Sequence, residues 1–68
     1  MKLNEFRINK NMSYGRLAQL VGCSHATVCR RWCLPVTHPN SMIPDRKFMM
    51  AILRLTDGAV QPNDFYMD

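Results

Sequence analysis

Apolar side chains recur along the chain in short bursts with helical spacing. Leu3 and Phe6 stand three apart and share one face of a helix, which predicts a first helix from Lys2 to about Asn9, where Asn9, Lys10 and Asn11 break the pattern. Leu17, Ala18 and Val21 form the next stripe. Ser13 precedes it as an N-cap whose hydroxyl accepts from the free amides of the first turn, with Met12 and Leu17 as a hydrophobic staple. Gly22 ends this helix by tolerating the left-handed conformation. A third helix repeats the logic: Ser24 is the expected N-cap, Cys23 and Val28 the staple, and Val28 and Trp32, four apart, the inward pair. Pro35 disfavours a helical Leu34 and closes the helix near Cys33. The fourth stripe is the cleanest, with Phe48, Ala51, Ile52 and Leu55 at i, i+3, i+4 and i+7. Pro44 is placed at its first helical position, Asp45 complements the positive helix end, and Gly58 stops it.

What lies between and after these bursts is irregular. Leu34 to Ile43 carries two prolines and an Asn-Ser pair and reads as a loop. The tail, residues 59–68, has no helical pattern; its Val60 and Phe65 either fold back onto the core or form a short strand that makes a dimer. No alternating strand pattern of useful length occurs. The expectation is an all-α chain, a single domain over residues 1–68 with four short helices on one core.

With 68 residues the core must be thin. A domain this small buries only about 60% of the surface its unfolded chain exposes, and such domains often lean on a partner subunit. A hydrophobic fraction of 47% is ordinary for a globular chain and too high for disorder. No apolar run is long enough to span a membrane, and the charged start MKLNEFRINK is not a signal peptide, so a cytoplasmic protein is expected. Three cysteines, an odd number, argue against a disulfide framework.

Charge adds direction to this picture. The net charge is +4 and the isoelectric point about 9.4, which suits a polyanionic partner, although solubility alone explains a modest excess. Placement is more telling than the total: Arg16, Arg30 and Arg31 occupy the central third, and no acidic residue occurs between Glu5 and Asp45.

That central third contains YGRLAQLVGCSHATVCRRWC, Tyr14 to Cys33, two short helices around a tight glycine-containing turn. Ala18 is small where the second helix crosses, and Cys23, Val28 and Trp32 plug the space between the helices. His25, Ala26, Thr27, Cys29 and Arg30 then face outward. A helix fits the DNA major groove, where its N-terminal residues reach base edges. Arg30 is the leading base reader, because its fork matches guanine O6 and N7 together; the plainer reading is a solvated arginine or a phosphate contact. Thr27 offers a methyl and a hydroxyl, and His25 either bonds a base or phosphate or stands as an exposed spectator. Tyr14 and Arg16 start the helix that crosses the backbone and are phosphate candidates with Ser24 and Arg31, while Lys10 and Lys47 are available for the same work. Tyr14 reads equally as a half-buried core residue. Trp32 and Phe48 read as core, and Met49 and Met50 beside Leu53 as filler or a dimer face.

Other chemistry finds little support. Cys23, His25, Cys29 and Cys33 superficially suggest zinc, but Cys23 is required inside, His25 points out, and no C-x2-C knuckle exists. Cys29, if exposed near DNA, is a candidate redox-sensing thiol. His25 and His38 lack evident carboxylate partners, the glycines form no phosphate loop, and an enclosed pocket is not expected in so small a chain. Neither an enzyme nor a cofactor or metal requirement is expected.

The stretch Leu17, Ala18, Val21, Gly22, Cys23, Ser24, Val28 and Trp32 resembles the helix-turn-helix of the Cro and lambda-repressor superfamily. The later segment with Thr56, Gly58, Val60, Pro62, Asp64 and Phe65 looks like the tail of YdaS-type, Cro-like phage regulators. Together the resemblance covers Met12 to Phe65. Two positions depart from the pattern. Cys23 stands where an aliphatic residue is usual, a role a small hydrophobic thiol can fill. Trp32 follows Val28 by four residues where the family has three. The resemblance implies a small four-to-five-helix lambda-repressor-like domain and a transcription regulator of a phage, prophage or other mobile element. It further implies a homodimer on a pseudo-palindromic double-stranded operator, within the cytoplasm of a bacterial or phage-infected cell and associated with the nucleoid. A Cro-like repressor needs only to occlude a promoter; an activator would also contact RNA polymerase. An antitoxin or protein-binding adaptor on the same fold, and a DNA-bending architectural or directionality factor, are the competing readings. With no room for a separate sensing domain, control by protein abundance is expected.

Overall fold

The computed structural model describes residues 1–67. Four α-helices and one 3-10 turn follow in order: α1 (Leu3–Asn9), α2 (Tyr14–Val21), α3 (Ala26–Trp32), α4 (Arg46–Leu55) and the turn Pro62–Phe65. No strand occurs among the described residues, so the protein is a small all-α domain, and of the two alternatives for the tail Val60 and Phe65 fold back onto the core. Asp68, the last residue of the expected tail, lies outside the described residues. No described helix is long and apolar enough to cross a membrane.

Local chemistry explains where the helices begin and end. Ser13 Oγ accepts the Arg16 amide at 3.0 Å, satisfying one of the orphan donors at the start of α2. Gly22 closes α2 at φ +82°, and the Cys23 amide returns to the Ala18 carbonyl at 2.8 Å. A Cβ at Gly22 would meet nothing within 4 Å, so its backbone conformation and not crowding selects glycine there. At α4 the start lies two residues later than expected. Asp45 is the N-cap, its carboxylate accepting the Phe48 amide at 3.2 Å, and Pro44 sits one residue ahead of the cap instead of in the first turn. Extended geometry at Asp45 lets its side chain reach back over the first turn, which a residue already inside the helix cannot do.

Each element contributes to one core. Leu3 and Phe6 come from α1, Leu17, Ala18 and Val21 from α2, Cys29 and Trp32 from α3, and Ile52 from α4. Cys23 plugs the turn between α2 and α3, and Val60 and Phe65 fold back from the tail. Among the helices, α2 packs most extensively on α3 and next on α4. Trp32 and Phe48 meet with ring centroids 5.2 Å apart at a tilt of 44°, which joins α3 to the start of α4. Phe48, Ala51 and Leu55 pack half-buried around Ile52, as the α4 stripe predicts.

The tail is held by one buried hydroxyl. Thr56 Oγ1 donates to the Ile52 carbonyl at 2.8 Å and accepts the Val60 amide at 3.1 Å. It thereby satisfies a buried main-chain donor that α4 has left behind. Pattern alone gave no helical signal beyond Gly58, yet Pro62–Phe65 forms a 3-10 turn. Proline supplies the dihedral angle at its start, and Asp64 Oδ2 accepts the Gln61 amide at 2.8 Å.

Two outcomes follow. Thr56→Val keeps the shape but strands the Val60 amide, and is expected to lower stability by about 1–3 kcal/mol in urea unfolding, with Thr56→Ser retaining most of it. The Asp64 carboxyl is held below the usual carboxylate range, first by the Gln61 amide and, against the opposing effect of burial, also by the Met1 α-amino group and Lys2. A carboxyl with a depressed folded-state pKa stabilises above the ordinary carboxylate range and loses that contribution as pH falls through and below it. Asp64→Asn should flatten this acid limb of the stability curve slightly, because the site is partly exposed and screened. An unchanged limb would show that the contact contributes nothing.

Candidate nucleic-acid interface

The orientation of α3 follows from which of its side chains the core takes. Cys29 is 0% exposed and Trp32 is buried, and these two, three residues apart, form the inward pair. Val28 is only half-buried. The expected inward pair of Val28 and Trp32 is therefore corrected, and Cys29 is not a base-contacting residue. Residues three and four apart both lie within a helix stripe, so Trp32 alone is compatible with either partner. What decides is the packing of α3 on α2, which takes Cys29 to full burial and leaves Val28 half-buried.

The beginning of α3 shifts in the same sense. His25, and not Ser24, occupies the N-cap position, with extended backbone and no side-chain capping bond. Its carbonyl accepts the amides of Val28 at 3.1 Å and Cys29 at 3.4 Å, and the Cys23 thiol also donates to it at 3.4 Å. Inward anchoring of Cys23 pins the turn, and the helix can begin only once the chain has left that anchor. Ser24 is left exposed in the turn itself.

With Cys29 and Trp32 inside, the solvent face of α3 consists of Ala26, Thr27, Arg30 and Arg31, all exposed, preceded by the exposed His25. Arg30 and Arg31 lie in the last turn, where positive charge complements the helix dipole. Among the described residues the one ion pair joins the Met1 α-amino group to Asp64, so neither arginine is neutralised by a carboxylate. Arg31 Nε donates to the Asn40 carbonyl at 2.8 Å, and the Arg31 carbonyl accepts the Met42 amide at 3.1 Å. Thr27, Arg30, Arg31 and Asn40 border one shallow surface depression. Asn40 was legible in the sequence only as part of a loop; no periodicity connects it with α3.

The residues expected at the DNA backbone are brought together in part. Arg16 is exposed at the start of α2, where its guanidinium donates to Gln19 Oε1 at 2.9 Å. Tyr14 is half-buried, and Arg7 stacks over its ring at 4.1 Å from the centroid. Arg7 is further held by Asn4 Oδ1, at 3.1 Å from Nε and 2.9 Å from one terminal nitrogen, and by the Met12 carbonyl at 3.0 Å. It is a structural arginine which the sequence pattern did not single out. Lys10 and Lys47 are exposed, their ammonium groups 5.9 Å and 5.5 Å from the rings of Phe6 and Phe48. Of the α4 methionines, Met50 is exposed while Met49 and Leu53 are half-buried. Among the described residues no three histidine, cysteine or acidic side chains gather as metal ligands.

Fold and surface together define a small all-α domain in which the seven-residue α3 presents Arg30 and Arg31 to solvent. Comparison of the chain with protein-family models, with curated proteins and with solved structures gives no match.

The capping difference between the two serines is directly measurable. Ser13→Ala should cost about 0.5–2 kcal/mol of stability. Ser24→Ala should change stability by no more than about 0.5 kcal/mol, as for an ordinary surface substitution. Equal losses in chemical denaturation would restore Ser24 as a cap.

Proposed function

We propose that the chain is a sequence-specific double-stranded-DNA-binding protein of lambda-repressor-like helix-turn-helix architecture. It acts as a small transcription regulator, a Cro-like repressor, with α3 in the major groove. One observation carries this reading: the core consumes Cys29 and Trp32, and the side of α3 left to solvent holds Ala26, Thr27, Arg30 and Arg31 with no carboxylate among them.

That set suits base edges. Arg30 presents a planar fork to guanine O6 and N7, Thr27 a hydroxyl and a methyl, Ala26 a methyl for thymine, and His25 an imidazole at the entry to the helix. Arg31, one of whose donors is committed to the Asn40 carbonyl, is placed for a phosphate, as are Ser24 in the turn and Arg16 at the start of α2. Tyr14 contributes through its hydroxyl, with its ring held by Arg7. The protein works as a homodimer on a pseudo-palindromic operator in the bacterial or phage-infected cytoplasm, and contacts RNA polymerase only if it activates. A second reading, a protein-binding adaptor or antitoxin, is favoured by Tyr66 and Met67, each 63% exposed after the last core residue.

Binding selection from a randomised duplex pool at physiological salt, with Arg30→Ala alongside, tests the proposal. A two-fold symmetric site should be enriched, and the variant should lose about 1–3 kcal/mol on it and relax one base position in each half. Equal loss on cognate and random DNA would make Arg30 a phosphate contact. Failure to enrich any site, with binding that vanishes as salt rises, would leave only electrostatic affinity and overturn sequence reading.

A further inference from the structure

His38 has no role in the proposed contacts with DNA, yet three of the bonds that shape the 34–43 loop meet on it. Its amide donates to the Pro35 carbonyl at 2.9 Å, its carbonyl accepts the Ser41 amide at 3.0 Å, and its Nδ1 accepts the Asn40 amide at 3.0 Å. Residues 38–41 therefore form a β-turn closed from first residue to fourth, with Pro39 in the second place, where its fixed φ is favoured. The side-chain bond reaches the amide two residues on, as an asparagine does in an Asx-turn. It requires a neutral imidazole with the proton on Nε2, since Nδ1 must offer a lone pair.

The two bonds that His38 accepts orient both peptide groups beside Asn40. A trans peptide sets its N–H and C=O in opposite directions. The Ser41 amide points at His38, so the Asn40 carbonyl of the same peptide group points away from it, and there it accepts Arg31 Nε at 2.8 Å. The Met42 amide returns to the Arg31 carbonyl at 3.1 Å and fastens the loop to the same residue. A bond from Nε fixes the guanidinium plane and leaves the donors on both terminal nitrogens available. Arg31 is exposed, with Thr27, Arg30 and Asn40 around the same depression, and no carboxylate pairs with it among the described residues. An arginine held in this way has already lost side-chain freedom that binding would otherwise remove.

We propose that His38 is a positioning residue for DNA binding: through the Pro39–Asn40 turn it holds the Asn40 carbonyl against Arg31, and so presents the terminal N–H groups of Arg31 in one orientation to a backbone phosphate. The imidazole itself touches no phosphate and acts only through Arg31. This role rests on the DNA reading of α3, whereas the coupling from His38 to Arg31 is a property of the free protein and is measured without DNA.

The full-length chain and its variants are compared at about pH 7.5, above the ordinary imidazole range. The probe is a fluorescein-labelled duplex of mixed sequence, because a phosphate contact needs no operator. His38→Ala should weaken binding by about two- to tenfold, the cost of immobilising one long side chain, with the salt slope unchanged because the phosphate is still met. Arg31→Ala should weaken binding and also lower the slope by about 1. In that background His38→Ala should cost nothing more. His38→Asn, whose amide oxygen can replace Nδ1 in the turn, should restore wild-type binding. Without DNA, the NMR order parameter of the Arg31 Nε–H should exceed about 0.6, fall below it in His38→Ala and recover in His38→Asn. The bond from the Asn40 amide is exposed, so water replaces it and urea unfolding should scarcely change. Undiminished binding by His38→Ala, no rescue by His38→Asn, an equal loss with and without Arg31, or an unaltered order parameter would each overturn the proposal. A lower salt slope in His38→Ala would also overturn it, by making the imidazole itself the phosphate contact. A wild-type chain that binds no duplex would instead overturn the DNA reading, and this role with it.

Discussion

The structure depends first on how α3 lies across α2. In so small a chain there is one core, and α3 contributes to it only through Cys29, Trp32 and part of Val28 and Cys33. Full burial of Cys29 sets the rotation of the helix about its axis, and that rotation settles every other side chain it carries. Had Val28 taken the deepest place, Cys29 would have turned toward solvent. Ala18 lies buried on α2, and Gly22 takes, between the two helices, a left-handed turn that other residues adopt only at a cost. The surface offered to a partner is thus a consequence of packing on the opposite side of the same seven residues.

The remaining elements brace α3 without adding to its exposed face. Trp32 is met by Phe48 of α4, and the 34–43 loop is tied back to Arg31 through both its side chain and its carbonyl. Thr56 performs the same service for the tail, bringing Val60 into a core that would otherwise end at Ile52. The Thr56 tie uses a hydroxyl that burial would penalise if it were left unpaired, and no buried side-chain nitrogen or oxygen lacks a partner among the described residues. A thin core tolerates few such omissions, because net stability is a small difference between large opposing terms.

The cysteines show how one residue type takes separate roles within eleven positions. Cys23 anchors the turn and donates to a carbonyl, Cys29 lies fully buried in the core, and Cys33 sits at the helix end lining an apolar groove. Composition presents them as equivalent. Their surroundings separate them: a backbone carbonyl for the first, full burial in the core for the second, an open groove for the third. Full burial of Cys29 removes the exposure on which a sensing thiol at that position would depend.

Four helices, their order and their approximate ends were legible because they rest on local physics. The spacing of Leu17, Ala18 and Val21, the Ser13 cap, the left-handed Gly22 and the stripe on α4 all act within a few residues of themselves. So, too, was the acid-free stretch that leaves Arg30 and Arg31 without carboxylate neighbours in sequence. Local spacing could not choose between Val28 and Cys29, since both are compatible with Trp32 on one helix face, nor could it show that the turn pinned by Cys23 delays the helix past Ser24. It carried no trace of Asn40 beside Arg31, of Arg7 over the Tyr14 ring, or of Thr56 as the link to the tail. Those relations join residues distant in sequence or decide between near-equal local options. Only the collective filling of one core, which the chain must do with no space to spare, selects among them.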